Sequence, residues 1–359
     1  MSRAPRHQFS PPTLITTTED LAAVCTRLRQ HEFVTVDTEF IRERTYWPEL
    51  CVVQLAGENE VVLIDALAPD LDLTALSDLL ADAAVMKVFH AARQDIEIFV
   101  LKFGDVPRPL FDTQVAAMVA GFGDQVGYEA LVGGLTGGSI DKAHRFSDWA
   151  IRPLSPAQIA YAAADVTYLR EIYRKLCARL DEDGRLAWVA EEMAILTDPA
   201  TYRADPSAMW QRLRSRSSSR RYLGMLRAVA AWRELEAQRV NIPRQRVVRD
   251  EILLELAATA PTSAEALART RGLSRGFAEH LQAPAVQCGH IGGRLYGQTL
   301  DVVGTGDQPG GDVVLLAFRR QQHLEQRHQR RRGARARTVN RSLGQCIGRH
   351  VLRRLDRRQ

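Results

Sequence analysis

The chain has 359 residues, 45% apolar and 25% charged, with a net charge of +5, which is ordinary soluble composition and enough for two or three domains. No apolar run approaches the ~18 residues of a membrane span, MSRAPRHQFSPP at the N-terminus has no apolar signal core, and the five Cys are scattered with no CxxC pair. Those features argue against a membrane protein, a disulfide scaffold and a cysteine-ligated zinc site, and the cytoplasm is the expected location. The charge is uneven: residues 284–359 carry 15 Arg and no Lys against 5 Asp or Glu, a net of +10, which leaves −5 for the remainder.

In chain order, Glu19 to Arg29 has the pattern of a short amphipathic helix. Strands are expected at 33–40, 50–57 and 60–65, the last two as a hairpin about Gly57-Glu58-Asn59. Leu71 to Leu80 reads as helix, VMKVFH (85–90) as a short buried strand, and Gln94 to Phe103 as helix. Pro107 and Pro109 break the chain before LFDTQ. Helical patterns return at 113–121 and 127–135, with a Gly-rich loop at 133–138. Residues 155–180 have the clearest helical signal, with Ser155 as N-cap, Pro156 at the first position and Gln158 completing a capping box.

Strands followed by alternating helix and strand predict an α/β domain, residues 1–197, with a mixed sheet flanked by helices. Asp198 to Asp205 reads as a linker. Residues 206–282 form an all-α bundle, with helices expected at 207–215, 219–238, 249–259, 263–269 and 274–281. From 284 to 359 hydrophobic periodicity is weak, and an Arg- and Gly-rich, poorly ordered tail is expected.

Phe33 to Phe40 poses the chemical question. Residues two apart on a strand share a face, so Thr35, Asp37 and Glu39 lie together, opposite Val34, Val36, Thr38 and Phe40. Two carboxylates side by side on a mostly apolar strand repel each other and resist burial. Asp95 follows the strand VMKVFH, near the start of the next helix, where α/β proteins build sites. Tyr161 and Asp165 are four apart and project from one helix face. Four carboxylates meeting at one sheet edge call for cations. Hard oxygen ligands suit Mg²⁺ or Mn²⁺, and a pair of such ions serves phosphodiester hydrolysis.

The text around these residues resembles the ribonuclease D family of the DEDD exonuclease superfamily. VDTEF matches the family's DxE strand (Asp37, Glu39), the Asp of VFHAARQDIEIF its second motif (Asp95), and YAAAD the YxxxD of the tyrosine-bearing subgroup (Tyr161, Asp165). RERTYWPELCVVQL, LFDTQ, DK…SDW and RPLSPAQIAYAAADVTYL extend the similarity over about 33 to 180. The resemblance implies a ribonuclease H-like, proofreading-exonuclease fold. It implies hydrolytic removal of nucleotides from an RNA 3′ end as 5′-monophosphates, tRNA precursors being the expected substrate. Asp37, Glu39, Asp95 and Asp165 would hold two divalent ions. Tyr161 would orient the attacking water; a phenol with pKa near 10 is a weak base, which leaves activation to the metal. The same chemistry on DNA, or a catalytically dead RNA-binding scaffold, are the alternatives.

Arg42, Arg44 and Tyr46 are candidates to meet phosphate or stack a base, and Lys142 is a further candidate phosphate contact. His90 is read as a capped core histidine, with support of Asp95 as the alternative. Asp112 is read as a helix N-cap, and Trp149 as packing. Residues 206–282 resemble an HRDC domain, through Trp210, AAWRE, Ile242 to Arg244 and ILLELAATAP. Arg212, Arg214, Arg216, Arg220 and Arg221 suit a phosphate-tracking surface. The tail lacks the periodicity of a second HRDC domain, as a diverged segment or a shifted reading frame would; Arg330 to Arg337 would add non-specific RNA affinity. No obligate protein partner is evident.

Overall fold

The computed structural model describes residues 10–141, 147–215, 217–271 and 273. The chain divides into two compact units. Among the described residues the first holds those up to Ile41 and Leu50–Tyr202, and the second holds Arg42–Glu49 and those from Arg203 onward.

A six-stranded mixed sheet organises the first unit, in the order β1-β4-β3-β2-β5-β6. The strands are β1 (Thr13–Ile15), β2 (Phe33–Ile41), β3 (Glu49–Ala56), β4 (Val61–Asp65), β5 (Met86–Phe89) and β6 (Leu110–Asp112). β3 and β4 are antiparallel (Val52 opposite Asp65). β5 runs parallel to both β2 (Phe33 opposite Met86) and β6 (Lys87 opposite Leu110). The helices are α1 (Thr18–Leu28), α2 (Thr74–Ala81), α3 (Arg93–Phe103), α4 (Thr113–Val119), α5 (Tyr128–Leu131), α6 (Pro156–Glu182) and α7 (Leu186–Leu196). The expected α/β architecture is the one observed.

Local chemistry accounts for the helix starts. Thr17 caps α1 by accepting from Asp20 N at 3.2 Å, and Glu19 and Asp20 meet the positive end of its dipole. The Ser155–Gln158 capping box opens α6. Leu21, Val34, Val36, Leu55, Ile64, Leu76, Phe89 and Phe99 are buried in one cluster, whose removal from water drives folding.

Two contacts set the rotation of α6 on the sheet. Thr35 donates its hydroxyl proton to Val166 O at 2.8 Å. The buried Arg170 donates to Ala56 O at 2.9 Å and Phe33 O at 3.3 Å, with its guanidinium 4.1 Å from the centre of the Phe33 ring. β2, β5 and β6 are parallel, so their carboxyl ends share one edge, from which α3 and α4 begin.

Several details differ from expectation. β1 and β6 are only three residues long, too short to show an alternating pattern. The helix expected over 127–135 is α5 followed by a π-helical turn, Val132–Thr136, closed by Gly137 at φ +68°. Lys87 lies fully buried in β5, with its ammonium donating to the carbonyls of Asp82 at 2.6 Å, Val85 at 2.7 Å and Arg108.

The second unit contains α8 (Arg220–Val240), α9 (Arg244–Val247), α10 (Asp250–Thr259) and α11 (Ala264–Ala268). The helix expected at 207–215 is a 3₁₀ segment, Pro206–Arg212. Met209, Leu226, Val229 and Leu253 belong to its core. Within it, buried Arg233 donates to Val248 O at 2.9 Å and pairs with Asp250 at 2.6 Å. The helix expected at 274–281, the tail 284–359 with Arg330 to Arg337, and Arg216 lie outside the described residues.

Candidate active site

Asp37 and Glu39 stand near the carboxyl end of β2, on the face that Thr35 turns toward α6. The Thr35–Val166 bond holds α6 there, and Asp165, one residue before Val166, comes onto the same face. Tyr161, one turn earlier, donates its hydroxyl proton to the Asp165 carboxylate. Asp95 enters from the first turn of α3 and is 6% exposed. Its carboxylate accepts from both the hydroxyl and the backbone N–H of Thr38, which anchors it to β2. The structure thus brings all four carboxylates and Tyr161 together, from β2, α3 and α6.

Burial is the largest influence on each carboxylate; repulsion within the cluster adds to it at Asp37 and Glu39, and the Asp112 charge adds to it at Asp95. Asp37 is held well above the usual carboxylate range by burial and by the charges of Asp95, Asp165 and Glu39. Burial, Asp165 and Asp95 push Glu39 up to about 9. Burial raises Asp95 and Asp165 to about 7, against the hydrogen bonds from Thr38 and Tyr161 that favour their charged forms. No Lys or Arg figures among these influences. Among the described residues, cations are what such a cluster lacks. The all-carboxylate donor set fits a hard divalent ion. Among the described residues, no group of three or more His, Cys, Asp or Glu side chains is placed to hold a metal ion.

A cavity of about 450 Å³ opens beside the cluster, lined by Asp37, Tyr161 and Asp165 together with His90, Gln114 and Tyr128. His90 is not a simple core histidine: it faces this cavity, 5.3 Å from the Tyr128 ring between centroids. Its Nδ1 is 3.0 Å from Thr113 Oγ1, and burial lowers its pKa to about 4, so it is neutral at pH 7. Tyr128 donates to Ala164 O at 3.2 Å, one residue before Asp165. Tyr128 lies outside every motif in the sequence, and nothing local to the chain pairs Thr38 with Asp95 or Tyr128 with Ala164.

Asp112 is the N-cap of α4, accepting from Gln114 N at 2.8 Å. Trp149 is buried in a cluster with Cys51, Leu63 and Leu154. Tyr46 is engaged in the second unit: its hydroxyl donates to the buried Glu234 carboxylate and accepts from Gln238 at 3.1 Å, and the Arg244 guanidinium lies 5.6 Å from its ring centre. Arg42 and Arg44 belong to the same segment, Arg42–Glu49. Lys142 lies outside the described residues.

The chain is similar to known proteins over both of its units. The family model for a 3′-5′ exonuclease matches residues 12–181, and that for an HRDC domain matches residues 223–283. Ribonuclease D of Granulibacter bethesdensis is 69% identical over 279 residues, covering 78% of this chain and 71% of that protein. Ribonuclease D of Acidiphilium cryptum is 67% identical over 274 residues, covering 76% and 70%. Among solved structures, Escherichia coli RNase D, an exoribonuclease involved in structured RNA processing, superposes with a TM-score of 0.71 at 29% identity, over 89% of this chain and 86% of that one. The catalytic core of RRP6 from Trypanosoma brucei, 21% identical with a TM-score of 0.60 over 81% of this chain and 83% of that one, shares the fold. No helix among the described residues is long and apolar enough to cross a membrane. Identity of this extent, with both domains matched in order, shows that the chain belongs to the ribonuclease D family and is a divalent-metal-dependent 3′→5′ exoribonuclease that acts on RNA.

Proposed function

We propose that the chain matures structured RNA in the cytoplasm, tRNA precursors above all, releasing nucleoside 5′-monophosphates, with two Mg²⁺ or Mn²⁺ ions held by Asp37, Glu39, Asp95 and Asp165. One observation supports the reading: four carboxylates, Asp95 buried and the others half-buried, converge from three elements, and no Lys or Arg of the described residues figures among the influences on them. When bound, the ions supply charge stabilisation for the attacking and leaving oxygens of the phosphodiester.

The chain's own groups do the positioning. With its proton given to Asp165, the Tyr161 hydroxyl oxygen accepts from the attacking water and lines it up with the terminal phosphorus. Thr38 fixes the Asp95 carboxylate. The cavity over Asp37, His90, Gln114 and Tyr128 is of a size for one terminal nucleoside, and neutral His90 brings no charge to it. Arg42, Arg44 and Lys142 serve as phosphate contacts further along the strand. Exposed Arg212, Arg214, Arg220 and Arg221 of the second unit form a surface for the RNA backbone. Tyr46 serves the packing of that unit.

The test uses a 3′-extended tRNA and a matched DNA strand, each labelled at the 5′ end. Wild type and Asp165→Asn are incubated with Mg²⁺, Mn²⁺ or EDTA. Stepwise shortening of the RNA, absent with EDTA and in the variant, is expected. Preference for DNA would move the substrate assignment. Undiminished cleavage by Asp165→Asn would remove Asp165 from the site.

A further inference from the structure

We infer that Asp112, which stands outside the carboxylate cluster, is the positioning residue that determines where Asp95 stands; the inference rests on the proposed role of Asp95 as a metal ligand. β5 ends at Phe89, and the chain turns through His90, Ala91 and Ala92 into α3. Ala91 has φ +56°, left-handed backbone that a residue with a Cβ keeps only when its surroundings hold it there. α3 starts with no side-chain cap from its own N-cap residue, Ala92.

From a different strand, Asp112 takes up the two N–H groups that lead into α3. Its Oδ1 accepts from Ala91 N at 3.0 Å and its Oδ2 from Ala92 N at 2.8 Å. Oδ1 also accepts from Gln114 N at 2.8 Å, which is the cap of α4. Thr113 continues the grip, donating to Phe89 O at 3.0 Å, with its Oγ1 3.0 Å from His90 Nδ1. The β6–α4 junction therefore clasps the β5–α3 junction. Asp95 lies in the turn that this clasp holds, closed by Ile96 N donating to Ala92 O at 2.9 Å.

Capping α4 alone needs one acceptor, which Ser, Thr or Asn would also provide. A buried carboxylate is costly, and Asp112 is 2% exposed. The second oxygen and the second pair of bonds serve α3. Across the sheet edge, the turn at Ala91 is made rigid, and Asp95 arrives at Thr38 already aimed.

The discriminating variant is Asp112→Ser. Serine keeps the α4 cap and is too short to reach Ala91 and Ala92 as well. Metal-free full-length protein is titrated with Mn²⁺ and the free ion read by electron paramagnetic resonance. Melting in EDTA is measured alongside, and the Mn²⁺ half-saturation of RNA cleavage is compared with kcat. Asp112→Ser is expected to melt cooperatively and to bind Mn²⁺ about tenfold or more weakly, with half-saturation moving in step. Asp112→Asn, which retains Oδ1 but turns an amide toward Ala92 N–H, is expected to shift the same way by less; it carries the test if the serine variant does not fold. Leu79→Ala, a buried change in α2, is expected to lower the melting temperature and leave Mn²⁺ affinity within about twofold. Wild-type Mn²⁺ affinity in Asp112→Ser, or a shift no larger than that of Leu79→Ala, overturns the inference. Asp95→Asn separates the two claims. If it leaves Mn²⁺ binding intact, the ligand assignment fails and the inference with it; if it weakens binding while Asp112→Ser does not, the inference alone fails.

Discussion

Replacing Glu39 with Gln is expected to stabilise the metal-free protein while removing its metal-dependent activity. Glu39 is pushed up to about 9, from an ordinary 4.5, by partial burial and by the charges of Asp165 and Asp95. Below about pH 4.5 both the folded and the unfolded chain hold its proton, and the substitution gains nothing. Above that, the unfolded chain releases the proton while the folded chain keeps it. The fold therefore loses ground at about 1.4 kcal/mol per pH unit, up to the folded pKa. At about pH 7.5 this amounts to about 4 kcal/mol, part of which the neighbouring carboxyls relieve by holding their own protons, leaving about 2–4 kcal/mol. Glutamine is neutral in both states and recovers that difference. The corresponding rise in melting temperature is on the order of 10 °C for a unit of this size. Circular-dichroism melts in EDTA at about pH 4.5, 6 and 7.5 read it directly. The two proteins should coincide at the lowest pH and separate as pH rises. With excess Mg²⁺ the wild type should regain its deficit and the variant should not. A variant that melts at or below wild type in EDTA at about pH 7.5 would refute the electrostatic reasoning.

Other outcomes follow from the same geometry. Tyr161→Phe removes only the hydroxyl on Asp165 and is expected to lower kcat by about 10–100-fold with Mn²⁺ affinity little changed, as single-turnover cleavage and a Mn²⁺ titration will show. Asp65→Ala strips Arg152 of its two-pronged partner, at 2.6 and 2.7 Å, and is expected to cost about 3 kcal/mol in urea unfolding, because it leaves a half-buried guanidinium uncompensated. Tyr46→Phe retains the ring but withdraws the donor from buried Glu234, and is expected to destabilise the second unit by about 1–3 kcal/mol. Unchanged stability in that variant would favour a substrate-facing role for Tyr46. Metal-free wild type should also lose stability between about pH 4 and 7 as Asp95 and Asp165 resist ionisation, measurable as a falling urea midpoint.

Much of the site was legible because it follows the short periods of regular structure. The i, i+2 spacing put Asp37 and Glu39 on one face of β2, and i, i+4 put Tyr161 with Asp165 on α6. The Ser155–Gln158 capping box located the start of α6 without any tertiary information. Asp95 was different. A lone Asp after a strand is not distinguished by periodicity from Asp105 or Asp112; only the family pattern selected it. Three-residue β1 and β6 carried no pattern at all. Lys87 in an apolar strand gave no sign that the carbonyls of Asp82, Val85 and Arg108 would receive it.

By itself the sequence pointed to the α/β class, a helical unit after it, and three acidic positions, Asp37, Glu39 and Asp165, since these rest on periodicities local to the chain; Asp95 and the exonuclease reading came from the family resemblance. Tertiary structure alone decided which groups serve those positions: Thr38 on Asp95, Asp112 on the turn at Ala91, His90 and Tyr128 at the cavity, and Tyr46 on Glu234. Each of those pairings joins elements distant along the chain. Their geometry depends on strand order and on the rotation of α6, which follow from packing of the whole core rather than from any residue's own neighbourhood.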